Sequence, residues 1–290
     1  MKKSRKLATL GICSALFLVL AACQQQHATS EGTNQRQSSS AKVPWKASYT
    51  NLNNQVSTEE VKSLLSAHLD PNSVDAFFNL VNDYNTIVGS TGLSGDFTSF
   101  THTEYDVEKI SHLWNQKKGD FVGTNCRINS YCLLKNSVTI PKLEKNDQLL
   151  FLDNDAIDKG KVFDSQDKEE FDILFSRVPT EATTDVKVHA EKMETFFSQF
   201  QFNEKARMLS VVLHDNLDGE YLFVGHVGVL VPTDDGFLFV EKLTFEEPYQ
   251  AIKFASKEDC YKYLGTKYAD YTGEGLAKPF IMDNDKWVKL

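Results

Sequence analysis

Apolar residues recur at helical spacing through the first two thirds of the chain and at strand spacing only near its end. Ser57-Thr58-Glu59-Glu60 has the form of a capping box, Ser57 as N-cap and Glu60 at the third helical position, and predicts a helix to about Leu69. Asp70-Pro71 repeats the start signal ahead of Val74, Phe77, Phe78 and Val81, which share one helical face. Residues 89–104 are rich in Gly, Ser and Thr and predict a long loop. Its glycines do not follow a strand in phosphate-loop order, which argues against a nucleotide site. Further helices are predicted from Val107 to about Lys117, from Asn125 onward, and over about 167–177 and 185–200, with a mixed pattern between 140 and 165.

The pattern then changes. "ARMLSVVLHD", "EYLFVGHVGVLV" and "GFLFVEKL" are apolar, β-branched-rich runs separated by the turn-forming "NLDG" and "PTDD". They predict an antiparallel meander, with "QAIKF" as a fourth strand, a helix from Ser256 to about Tyr263, and a tail, "KPFIMDNDKWVKL", that pairs or packs. A helical first half packed on a late antiparallel sheet is an α+β domain, spanning 46–290. Both faces of the second strand are apolar, so it is predicted to be central and covered on each side.

The N-terminus is different in kind. Lys2, Lys3, Arg5 and Lys6 precede an apolar run from Leu7 to Ala22, too short for a comfortable membrane span and laid out as a secretory signal. Its end, Leu20-Ala21-Ala22-Cys23, resembles the bacterial lipobox; the alternative is an ordinary signal with an incidental cysteine. The resemblance implies a lipoprotein signal peptide over 1–22, cleavage before Cys23, and diacylglycerol on that cysteine. Buried lipid methylenes contribute about 0.8 kcal/mol each, so such an anchor holds a chain at a membrane without a spanning helix. Residues 24–42 contain almost no large apolar side chain and cannot offset the entropy of ordering, so 23–45 reads as lipidated cysteine and flexible tether, with a reach of roughly 25 Å. The expected place is the extracellular face of the cell membrane.

The chain carries 31 Lys+Arg against 40 Asp+Glu. Without the four leader bases the balance is 27 against 40, which argues against nucleic acid as a partner. Cell-wall peptides remain compatible with it. There is no CxxC, HExxH or EF-hand loop, so neither metal nor cofactor is expected.

Beyond Cys23, an exported chain would hold Cys126, Cys132 and Cys260, an odd number that leaves at least one thiol free or paired between chains. A helix over 126–132 separates those two by ~9 Å of rise, too far for a disulfide. Cys132 and Cys260 read as core. Cys126 stands where a loop becomes a helix, and a helix N-terminus favours a thiolate. His226 interrupts the central strand between Gly225 and Gly228, and Glu241 lies on the otherwise apolar next strand. A four-residue loop over 232–235 would set Glu241 opposite His226; a tighter turn slips it by two residues and keeps the face. A carboxylate that orients a histidine, and a histidine that takes a thiol proton, make a nucleophile. Taken singly, Cys126 reads as an inert buried thiol and His226 as a satisfied core histidine. His214 reads as a turn-side surface residue, and His102 and His112 show no partner.

Cysteine at a helix start, histidine on a core strand and a polar group on the adjacent strand resemble the papain-like superfamily, and its NlpC-type peptidoglycan peptidases most closely. "GHVGVLV" followed by "FLFVEKL" resembles their histidine strand, with Glu241 where that family usually has a second histidine or another polar group. "TNCRINSY" resembles their nucleophile helix, with Arg127 in place of the usual small residue. The upstream aromatic of the family corresponds to Trp114 or Tyr105. The resemblance implies a papain-like fold and a lipid-anchored cysteine amidase or peptidase acting on peptidoglycan peptides. It makes Cys126 nucleophile, His226 general base and Glu241 the orienting group, with Asn125, also a helix N-cap, as oxyanion candidate. A non-catalytic binding lipoprotein on the same fold is the alternative. The stretch "FVEKLTFEEPYQAIKF" also resembles a family of Gram-positive lipoproteins with no assigned activity, which brings no mechanism.

Overall fold

The structure, a computed structural model, describes residues 46–101 and 103–290. The readings of 1–22, Cys23, the tether to residue 45 and His102 lie outside them.

Short polar caps start each helix that leads to the site. Asn54, whose side chain accepts from Ser57 N, opens α1 (Gln55–Ser66), three residues before the predicted cap; Ser57 is a buried first-turn residue instead of the cap. Asp70 caps α2 (Pro71–Val88) with proline in its first turn, as predicted. Asp106 opens α3 (Val107–Lys118) and Asn125 opens α4 (Cys126–Leu134). The mixed stretch after residue 140 contains a helix the pattern did not reveal, α5 (Phe151–Gly160), which has no side-chain cap to announce it. α6 (Ser165–Leu174) and α7 (Val186–Phe197) follow.

The late runs form β4 (Arg207–Asp215), β5 (Tyr221–Thr233), β6 (Gly236–Lys242) and β7 (Tyr249–Phe254), all paired antiparallel. The tail adds β8 (Phe280–Asp283) and β9 (Lys286–Val288) beyond β4. On the other side, β1 (Ala47–Thr50) pairs with β7, and Thr98–Ser99, inside the predicted loop, pairs with β1 as β2. The spatial order is β2-β1-β7-β6-β5-β4-β8-β9, with the short β3 (Val178–Pro179) on β5. The domain is therefore α+β, with a helical first half and β5 and β6 central. α4 packs on one face of these two strands, backed by α2; α8 (Lys257–Lys267) covers the other face.

Two details of β5 and β6 set the site. The turn is the tight one: Thr233 pairs with Gly236, and Gly236 has φ of +145° with Phe254 O 2.2 Å from where a Cβ would stand, so only glycine fits. The ladder's paired residues end at Val229 and Val240, which by register sets Glu241 across from Gly228, two residues from His226. A β-bulge at Gly225 shifts the pairing between Val211↔His226 and Val212↔Val224. It puts Val224 with Val227 and Val229 in the α4-side core and turns His226 to the α8 side, so the simple alternation expected for Val224 and His226 is broken.

Candidate functional site

Asn125 ends an extended segment, and its Oδ1 accepts the Ile128 amide at 3.1 Å. That cap places Cys126 at the first helical position, where its N–H has no carbonyl within its own helix to bond. The helix is fixed by a buried ion pair that the sequence did not announce. Asp153 of α5 accepts from Arg127 Nε at 2.9 Å, Arg127 Nη2 at 2.7 Å and Asn125 Nδ2 at 2.8 Å, while Arg127 Nη1 donates to Val224 O at 2.9 Å. Arg127, the departure from the NlpC-type pattern, thus locks α4 to α5 and to the strand that carries His226. Ser130 Oγ adds a bond to Val227 O at 3.2 Å.

From the other face, His226 Nε2 donates to Glu241 Oε2 at 2.5 Å. Tyr263 OH donates to Glu241 Oε1, and Lys267 Nζ lies 3.5 Å from Oε2. Tyr268 stacks on the imidazole, centroids 5.1 Å apart and planes 27° apart. With Nε2 committed to Glu241, the nitrogen left for a thiol is Nδ1. Cys126 and His226 are close enough for charge and hydrogen-bond coupling between thiol and imidazole to shift both groups. The three residues singled out in the sequence are brought together as a chain, Cys126 to His226 to Glu241. Lys267 and Tyr268 were missed because α8 runs to Lys267, one turn beyond the predicted end, and Tyr263 because nothing near it in sequence marks its face as turned to a carboxylate.

The electrostatics of this chain run against its burial. Burial pushes the Cys126 thiol up, but the His226 charge and hydrogen bond, with help from Arg127, outweigh it and hold the thiol below its ordinary range. Burial likewise disfavours charge on His226, and Cys126 and Glu241 together hold the imidazole above its ordinary value. Glu241 feels the same burial, countered by Lys267, His226 and Tyr263, and its carboxyl is brought down to about 2. Both shifts lean toward a thiolate–imidazolium pair beside a carboxylate. In the other two thiols burial is the leading effect: Cys132 is pushed up to about 12, and Cys260, with added repulsion from Glu241 and Asp283, well above its ordinary value. All three cysteines are free thiols.

Asn125, the oxyanion candidate, has its side chain committed to Asp153 and to the Ile128 amide. Trp114 donates to Phe121 O at 2.6 Å and, with Phe121, Tyr84, Tyr249, Gly123 and Thr124, walls a narrow crevice two residues from Cys126. Tyr105 bonds Gln250, the residue paired with Glu241. A larger depression, lined by Asn53, Asn54, Gln55, Thr58, Asn82 and Asn85, lies at α1 and α2 and includes none of the three. Among the described residues, no group of three His, Cys, Asp or Glu is placed to hold a metal, and no helix is long and apolar enough to cross a membrane.

His214 is a correction. It is buried, accepting from Ala277 N at Nδ1 (3.0 Å), bonded through Nε2 to Glu220 (2.7 Å), and packed on the His189 ring at 4.4 Å. The "DNLDG" turn that suggested exposure folds Glu220 back over it.

Residues 48–288 match the family described as "Domain of unknown function (DUF4300)". No curated protein matches the chain, and no solved structure does.

Proposed function

The chain belongs to the DUF4300 family, and we propose that it is a papain-like, NlpC-type cysteine hydrolase that cleaves amide bonds, with peptidoglycan stem peptides as the substrate class. The observation that carries this reading is the buried chain Cys126–His226–Glu241, in which the thiol is held below and the imidazole above its ordinary range. Support for the fold comes from its arrangement: a cysteine at the start of a helix packed on the central strands of an antiparallel sheet, and a carboxylate on the strand next to the histidine.

The chemistry follows from the positions. The Cys126 thiolate adds to the amide carbon, and the carbonyl electron pair moves onto oxygen, which faces the N–H of the first turn of α4. The carbonyl reforms as the C–N bond breaks, and the leaving nitrogen takes the proton from His226. Water then gives a proton to His226 and adds to the thioester carbon; the C–S bond breaks and the thiolate returns. Glu241 holds the imidazole by Nε2 throughout and balances its charge.

The reading places the protein at the extracellular face of the membrane through diacylglyceryl-Cys23. Labelling cells with an alkyne fatty acid should mark the wild type and not Cys23→Ser. Incubation of the mature protein with stem peptides should release new amines, and Cys126→Ala and His226→Ala should release none. A Cys126→Ala protein that cleaves at the wild-type rate ends the proposal.

One observation favours the second reading, a binding lipoprotein on the same fold: Cys126 is 0% exposed, and His226 and Glu241 are 1% exposed. Under that reading neither variant changes the chemistry of any stem peptide, and Cys126 stays as inert as Cys132.

A further inference from the structure

Burial of the thiol raises the question of access, and the residue after Glu241 answers it. Lys242 is the last residue of β6, and its side chain lies on the opposite face from Glu241, toward α2. It is 1% exposed. Its Nζ donates to Thr244 O at 2.9 Å, to Phe245 O at 3.2 Å and to Glu247 O, and sits over the rings of Tyr84 (4.1 Å) and Tyr249 (5.2 Å). An ammonium has three N–H groups, and three carbonyls of one loop take them.

That loop, 243–248, joins β6 to β7 and is closed on itself. Leu243 N donates to Pro248 O, Thr244 Oγ1 accepts from Glu246 N and Glu247 N, and Tyr84 OH donates to Glu246 O. It lies against the approach to the nucleophile. Gly123, three residues before Cys126, has φ of +92°, and a Cβ there would stand 3.5 Å from Phe245 O and 3.3 Å from the Trp114 ring. The aromatic crevice ending at Thr124 runs beside it.

We infer that the 243–248 loop is a lid over Cys126 and that the Lys242 ammonium is the pin holding it shut. The inference rests on Cys126 being the nucleophile. A lysine kept for packing alone would be better replaced by an apolar side chain, because burying an ammonium is costly. Here the cost is met by two aromatic rings and by three carbonyls that belong only to the loop, so all three hydrogen bonds of the charge are lost when the loop lifts. Burial pushes Lys242 down to about 7, against the pull of Glu246, Glu247 and Cys126. The protonated form is the one that fills the three carbonyls.

The test reads access, separately from activity. Each thiol of the mature protein is followed by peptide mass during alkylation with iodoacetamide at pH 6, where the Lys242 ammonium is populated. In Lys242→Met, which keeps length but donates nothing, Cys126 should be labelled about tenfold to a hundredfold faster, from the loss of charged hydrogen bonds. Cys132 and Cys260, both buried, report global unfolding and should keep their wild-type rates. Equal acceleration at all three thiols, or none at Cys126, overturns the lid. In the wild type, amides of 243–248 should exchange with deuterium well before those of β6 and α4; exchange only in step with global unfolding overturns it without any variant. Failure of the nucleophile reading looks different: Cys126 would then be labelled through an opening lid but with the pH profile of an ordinary thiol.

Discussion

His226 Nε2 and Glu241 Oε2 lie 2.5 Å apart although the two residues are diagonal across β5 and β6, with Glu241 in register with Gly228. The offset has a physical origin. The Asp234-Asp235 turn sets the register, the bulge at Gly225 turns His226 toward α8, and Glu241 reaches it past the point where the paired residues end. Cys126, at the start of α4, is electrostatically coupled to that imidazole.

Glu241→Gln keeps the shape of the side chain and removes the charge beneath the imidazolium. The thiolate–imidazolium pair should weaken, so alkylation of Cys126 should slow at pH 6 to 7 and differ little at pH 9. Superimposable profiles would show that the carboxylate does not act through the histidine.

The same substitution makes a stability prediction with a definite sign. The Glu241 carboxyl is brought from its ordinary value of 4.5 to about 2 in the fold, so it stabilises the native state above its unfolded pKa, and this stabilisation is lost as pH falls through the folded one. The pH-dependent part of the gap between wild type and Glu241→Gln should be about 3 kcal/mol at pH 7 and be lost between about pH 5 and pH 2. Urea unfolding across that range reads it; a gap that is constant with pH contradicts the assignment.

Asp153→Asn should leave Arg127 buried without its counter-charge and cost about 3–5 kcal/mol in denaturant unfolding. Replacing both partners with apolar residues of similar size should recover much of that loss. If the single variant costs under about 1 kcal/mol, the pair is not what holds the nucleophile helix in place.

Much of this was legible in the sequence, and for physical reasons. Asp70-Pro71, Asn125 and Ser256 cap helices through contacts local to the chain, and the alternating runs from Ala206 onward define a meander whose period survives any even slip of register. His226 and Glu241 stood out because each breaks an apolar strand, and Cys126 because it stands where a loop becomes a helix. What was hidden depends on contacts distant in sequence. Asp153 looks like one more surface acid of "FLDNDAID" until Arg127 is brought to it; His214 looks exposed until Glu220 and Ala277 close over it. Tyr263 and Lys267 share a helical face that no neighbouring residue identifies as facing a carboxylate. Lys242 reads as a strand-end surface charge, and only the fold shows three carbonyls around it.

Gly228→Ala tests how closely this region is packed. A Cβ there would stand 2.3 Å from Phe239 Cζ and 2.8 Å from Val240 O, beside Glu241. The strand must shift, at about 1–3 kcal/mol, and Cys126 alkylation at neutral pH should fall with it as Glu241 moves off His226. A stable variant with unchanged alkylation would show that the alignment tolerates the shift.

Whether the Cys126 thiol is activated by His226 is read from the pH profile of Cys126 alkylation in the wild type, followed by peptide mass with Cys132 and Cys260 in the same molecule as references. A thiolate held by His226 predicts labelling at Cys126 alone at pH 6 to 7, with a midpoint below that of an ordinary thiol and a shift toward it in His226→Ala. Labelling of Cys126 that stays as slow as that of Cys132 at every pH, or that rises only with an ordinary thiol's midpoint and is unmoved by His226→Ala, would contradict it.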